Sequence, residues 1–152
     1  MHVLIIDDEL ALRQIIAATV RRAGYSVDMA SGVKDAAAKL VRGDVDLAIC
    51  DIRMQDGDGV ELVRSMKGAG VPTTFIMVTA FASVQTAVEA LRAGAMDYMV
   101  KPVDSEELLY RLRQAQTLLG LKAENVALRK FVSAERDNTR FKFTSAPMMA
   151  VE

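Results

Sequence analysis

A chain of 152 residues, 51% hydrophobic, with 19 basic and 20 acidic side chains and a net charge of −1, can bury one sizeable core and has no electrostatic pull toward nucleic acid. One cysteine, Cys50, argues against a disulfide framework and suits a reducing cytoplasm, and one histidine, His2, at the start of the chain, argues against a Ser-His-Asp triad or a histidine zinc site. No apolar stretch approaches a membrane span, and the first residues show no signal-peptide pattern.

In chain order, Val3–Ile6 is a short apolar run that reads as a buried strand. The next segment puts Leu12, Ile15, Ile16, Thr19 and Val20 on one helical face, with Gly24 as its stop. Ser26–Ala30 alternates as a second strand, Val33–Val41 is helical, and Arg42-Gly43-Asp44 turns into a third strand, Leu47–Cys50. Asp56-Gly57-Asp58-Gly59 is a turn cluster before a helix over Val60–Lys67, which Gly68 and Gly70 end. Pro72 precedes a fourth strand, Phe75–Val78. Ser83 caps a helix through Arg92, Gly94 closes it, and Tyr98–Val100 is a fifth strand stopped by Pro102. Asp104 or Ser105 caps a last helix whose acidic first turn, Glu106 and Glu107, suits the helix dipole.

Strands alternating with amphipathic helices predict an α/β domain of (βα)5 plan, a doubly wound parallel sheet ordered 2-1-3-4-5. Asp7, Asp8, Asp51, Thr79 and Lys101 each fall at or just after the end of an apolar run, so the fold would gather them at the carboxyl edge of the sheet. Three carboxylates held together resist ionisation unless a cation lies between them, and oxygen donors without a Cys/His cluster favour magnesium.

Ile5-Ile6-Asp7-Asp8-Glu9, Cys50-Asp51-Ile52-Arg53-Met54, Val78-Thr79-Ala80 and Val100-Lys101-Pro102, in this order and spacing, resemble the receiver domain of two-component response regulators, over about residues 1–118. The resemblance implies a flavodoxin-like fold and a phosphorylation switch rather than a conventional enzyme. Asp51 would accept a phosphoryl group from a sensor histidine kinase. Asp8, Asp51 and the Arg53 backbone carbonyl would hold Mg2+, with Asp7 acting through water. Lys101 would pair with a phosphoryl oxygen, aimed by a cis bond to Pro102, and Thr79 and Tyr98 would be the switch pair. Helix one, with Leu10, Arg13 and Gln14, is where the kinase would dock. Arg53 and Phe81 would flank the path of the hydrolytic water and lengthen the phosphorylated state. The family usually has proline after Met54; Gln55 stands there instead, which should loosen the loop after Asp51.

Beyond Gln116, Leu118, Leu121, Asn125, Leu128 and Val132 follow 3-4-3-4 spacing. The spacing predicts that the last helix extends as a coiled-coil dimerisation linker over 119–133, a helix docked on its own domain being the alternative. Residues 134–152 read as a polar linker whose ending, Phe143-Thr144-Ser145-Ala146-Pro147-Met148-Met149, is similar to the start of the AAA+ ATPase domain of sigma-54-dependent activators of the NtrC type. The chain contains no Walker-type phosphate loop, so it reads as a cytoplasmic regulatory fragment. Its expected partners are a kinase, a second copy of itself, and downstream ATPase and DNA-binding domains, with no direct contact to nucleic acid or membrane. A stand-alone receiver working through protein contacts is the nearest alternative. An aspartate-nucleophile phosphatase would need a second acid where Arg53 stands, and a flavin protein would need a phosphate loop where Asp7, Asp8 and Glu9 would repel phosphate.

Overall fold

Two apolar runs are buried along their whole length in the computed structural model, which describes residues 1–80 and 83–120: β3 (Leu47–Asp51) and β6 (Thr74–Thr79). With β1 (His2–Ile6), buried from Val3 onward, they form the centre of a five-stranded sheet. Strands covered on both faces need no polar alternation, which is why these segments read as continuous hydrophobic runs. The flanking strands β2 (Ser26–Ala30) and β7 (Asp97–Val100) are only partly covered. Between β3 and β6 lie two short strands, β4 (Arg53–Met54) and β5 (Gly57–Asp58), which pair antiparallel as a small hairpin. The order across the main sheet is β2-β1-β3-β6-β7, all parallel. Apart from the hairpin, this is the order expected from the sequence.

The helices are α1 (Leu10–Arg22), α2 (Val33–Leu40), α3 (Gly59–Gly68), α4 (Val84–Ala93) and α5, helical over 105–120. The chain divides into two units, Met1–Arg113 and Gln114–Glu152. Among the described residues no helix is long and apolar enough to cross a membrane. Leu121, Asn125, Leu128 and Val132 of the expected coiled coil lie outside the described residues, as does Phe81. Leu118, the remaining seam residue, is exposed.

Local sequence accounts for several helix ends. The Ser83 hydroxyl accepts from the Thr86 N–H at 3.1 Å, Asp58 caps α3 through the Val60 N–H at 2.7 Å, and Asp104 accepts from the Glu107 N–H at 3.2 Å. Gly94 ends α4 at φ +119°, a left-handed conformation that favours glycine. Helix α2 differs, because its N-cap residue is Gly32 and has no side chain to offer. Its Val33 and Lys34 N–H groups donate instead to the Asp56 carboxylate, at 2.8 and 3.2 Å, from across the fold. These donors hold the Asp56 carboxyl below the usual aspartate range.

One expected core position is wrong. Ile15 is 61% exposed, while Ile16, Ala17, Thr19 and Val20 form the buried face of α1. At about 100° per residue the face centres between Ile16 and Val20, which places Ile15 roughly 120° away.

The register sets the site. Ile6 lies beside Cys50, so Asp7 and Asp51 leave adjacent strands at the same level, and Thr79 lies beside Val100, one residue before Lys101. Behind Asp51, Gly59 comes so close that a Cβ there would sit 2.2 Å from the Asp51 carbonyl oxygen, while the Gly59 N–H donates to the Ile52 carbonyl. Gly59→Ala should therefore cost more than about 2 kcal/mol by urea denaturation, as overpacking does. Gly68→Ala, at a helical position with nothing within 4 Å, should instead stabilise by about 0.5–1 kcal/mol. Equal effects of the two substitutions would contradict the steric account.

Candidate functional site

The chain order around β1 reverses direction: β2 lies on one side of it and β3 on the other. Such a switch point leaves a crevice outside the carboxyl ends of the two central strands. Asp7, Asp8 and Asp51 meet there, each offering a carboxylate oxygen within 4.8 Å of the others. Asp7 is 2% exposed and is held from three directions. Its N–H donates to the Ala30 carbonyl at 3.1 Å, its Oδ1 accepts from the Glu9 N–H at 2.9 Å, and its carbonyl accepts from the Arg13 guanidinium at 2.7 Å. Asp8 Oδ2 accepts from the Gln55 N–H at 2.9 Å.

Lys101 reaches in from the end of β7. Its Nζ lies 3.3 Å from Asp51 Oδ2 and 3.4 Å from Asp7 Oδ2. Burial draws this ammonium toward neutrality, but the charges of Asp51 and Asp7 and their hydrogen bonds outweigh it, and its pKa stands above the usual lysine value. The Lys101 N–H donates to the Thr79 carbonyl at 2.8 Å, and the Lys101–Pro102 peptide is cis. For Asp51, burial first and the charge of Asp7 second push the carboxyl up; Lys101 opposes them without cancelling, and Asp8 adds to the rise. One ammonium among three carboxylates leaves the cluster short of positive charge.

A divalent cation fits that deficit. The donors are carboxylate oxygens, which suits a hard cation such as Mg2+. Cys50 is no competing soft ligand: its buried Sγ–H donates to the Asp51 carbonyl at 3.2 Å, and burial drives its pKa far up, so it stays a thiol.

Thr79 is buried at the end of β6. Tyr98 is half-buried against the core, and its buried hydroxyl finds no hydrogen-bond partner among the described residues. Arg53 is exposed at the start of β4, immediately after the bend at Ile52. Arg13, expected on a docking surface, folds back onto the Asp7 carbonyl. The Gln55 N–H on Asp8 and the Asp56 carboxylate on α2 were not foreseen. Backbone donors leave no mark in a sequence, and the Asp56 contact spans 23 residues.

The family model for the response regulator receiver domain matches residues 3–113. The transcriptional regulatory protein ZraR of Salmonella typhimurium is 39% identical over 115 residues, covering 76% of this chain and 26% of that protein. The response regulator protein PilR of Pseudomonas aeruginosa is 37% identical over 121 residues, covering 80% of this chain and 27% of that protein. The chain thus spans about a quarter of the length of these curated relatives. The solution structure of the beryllofluoride-activated NtrC4 receiver domain dimer superposes with a TM-score of 0.71 at 31% identity, covering 75% of this chain and 94% of that one.

The charge balance has a measurable consequence. A carboxyl whose pKa is higher in the fold than in the unfolded chain contributes stability that is complete below the ordinary aspartate range and is lost as pH rises through the folded value. In metal-free buffer at neutral pH, Asp51→Asn should raise the melting temperature, because the amide removes one of the crowded buried charges. It should also flatten the decline on the alkaline side of the aspartate range. A lower melting temperature for the variant would mean that Lys101 already neutralises the cluster.

Proposed function

The chain belongs to the response regulator receiver family, and from that membership we propose that it is a two-component switch whose phosphoacceptor is Asp51. The observation that carries this reading is the meeting of Asp7, Asp8 and Asp51 at the switch point, with Lys101 bridging two of them. In the proposed transfer an Asp51 carboxylate oxygen attacks the phosphorus of a kinase phosphohistidine. A P–O bond forms as the P–N bond breaks, and the electron pair leaves on the imidazole nitrogen. Lys101 moves its charge onto a phosphoryl oxygen. Mg2+ held by Asp8, Asp51 and the Arg53 carbonyl, with Asp7 through water, would supply charge neutralisation between the nucleophile and the phosphoryl oxygens.

The readout is proposed to run through Thr79 and Tyr98. A phosphoryl group on Asp51 would draw the Thr79 hydroxyl toward it, and Tyr98 would settle behind the displaced loop. Exposed Val84 and Leu91 on α4 and Val100 on β7 give that side an apolar surface able to meet a second copy or a downstream domain. In the full-length protein the proposed target is a sigma-54-dependent AAA+ activator in the cytoplasm, with the receiver in a homodimer. A phosphatase reading is disfavoured because Arg53 occupies the position where that chemistry needs a second acid.

Beryllofluoride, followed by 19F NMR, should form one adduct with the chain only when Mg2+ is present, and Asp51→Asn should abolish it. An undiminished adduct in the variant would assign the acceptor elsewhere. Dimerisation is tested separately by sedimentation with and without beryllofluoride. Leu121→Asp should give monomers, and a wild-type chain that stays monomeric at high micromolar concentration in both conditions would remove the coiled-coil proposal.

A further inference from the structure

The hairpin after Asp51 bonds in two directions from neighbouring residues. Gln55 donates its N–H to Asp8 Oδ2 at 2.9 Å, a bond that a proline could not make. Asp56 sets both carboxylate oxygens on the first amides of α2, at 2.8 Å from Val33 and 3.2 Å from Lys34. The fit at α2 is close, since a Cβ on Gly32 would lie 2.6 Å from Asp56 Oδ1. Gly32 is in extended backbone, φ −178°, which any residue adopts, so room for Asp56 is what its missing side chain provides. A hairpin with two residues in each strand cannot hold its own shape. Its anchors include the buried Met54 side chain, the Gly59 N–H bond to the Ile52 carbonyl at its base, the Asp56 cap and the Gln55 bond to Asp8.

We propose that Asp56 is a positioning residue for the metal-binding acid Asp8: by capping α2 it fixes the hairpin tip, and the fixed tip holds the Gln55 N–H on Asp8. The inference rests on the magnesium reading of the acidic cluster and adds a part to it that lies outside the cluster. The Gln55 bond occupies one lone pair of Asp8 and fixes the direction of its carboxylate, as orienting partners do for metal ligands. Free the tip, and the carboxylate loses its orientation although no ligand has been removed. Linkage makes the coupling reciprocal, so Mg2+ binding must in turn steady the Asp56 cap and the first turn of α2.

The test separates capping from positioning. Mg2+ affinity would be measured by calorimetry, and stability by urea denaturation without metal, on the full chain. Asp56→Ala should weaken Mg2+ binding roughly tenfold, the lower end of the loss when an orienting partner is removed, and should lower the urea midpoint. Asp56→Asn, which loses the same charge but keeps one oxygen to accept from the Val33 N–H, should bind more tightly than Asp56→Ala. In Gly32→Ser with Asp56→Ala, the serine hydroxyl caps α2 from within its own segment. That pair should recover the urea midpoint but not the affinity. Hydrogen exchange at the Val33 and Lys34 amides should slow on adding Mg2+ to the wild type and not to Asp56→Ala. Recovery of affinity together with stability in the double variant, or unaltered affinity in Asp56→Ala, would overturn the proposal alone. Absence of Mg2+ binding by the wild type would overturn the metal reading and this inference with it.

Discussion

Everything at the carboxyl edge of the sheet follows from one constraint: more negative charge is held there than Lys101 can balance. The parallel register fixes the positions. With Ile6 beside Cys50 and Thr79 beside Val100, the residues that follow each strand have no freedom to separate. Burial then makes the charges costly, since little water remains to screen Asp7 and Asp51. The fold therefore stores an electrostatic deficit that a divalent cation can relieve and that any added negative charge at Asp51 would deepen. This is the physical basis on which a small covalent event can alter a larger structure.

Lys101 is the movable part of that balance. Its ammonium is shared between Asp51 and Asp7 at nearly equal distances, 3.3 and 3.4 Å, so neither acid holds it exclusively. Its backbone, by contrast, is tied to β6 by the N–H bond to the Thr79 carbonyl. The charge can change partners on a flexible stem while the strand end stays put. Arg13 has the opposite character: its guanidinium is spent on the Asp7 backbone and steadies the turn out of β1.

Much of this was legible in the sequence because the central strands are apolar from end to end and the strand-terminal polar residues stand out against them. Gly24, Ser83 and Gly94 marked helix ends through backbone rules that act locally. Legibility failed where the determinant was not local. Ile15 fits the helical spacing as well as Ala17 does, and only packing against the sheet decides which is buried. Two-residue strands such as β4 and β5 are too short to carry a period, so the hairpin read as a turn. The role of Gln55 lies in its backbone N–H, which the side chain does not advertise, although the missing proline did mark the position as unusual.

The missing proline predicts a looser loop after Asp51, and the structure shows a restraint of another kind at the same position. Proline would have restricted the chain by its ring; Gln55 restricts it by a hydrogen bond to Asp8. The two kinds of restraint differ in what they respond to. A ring is indifferent to the state of the acidic site, whereas a bond to Asp8 competes with or cooperates with whatever else Asp8 holds. Tyr98 differs, because its buried hydroxyl lacks a partner among the described residues, and leaving such a group unsatisfied costs about 1–3 kcal/mol. The restraint that Gln55 places on the loop after Asp51 is thus a hydrogen bond to a charged group, and such a bond is one that the charge balance of the acidic cluster is able to move.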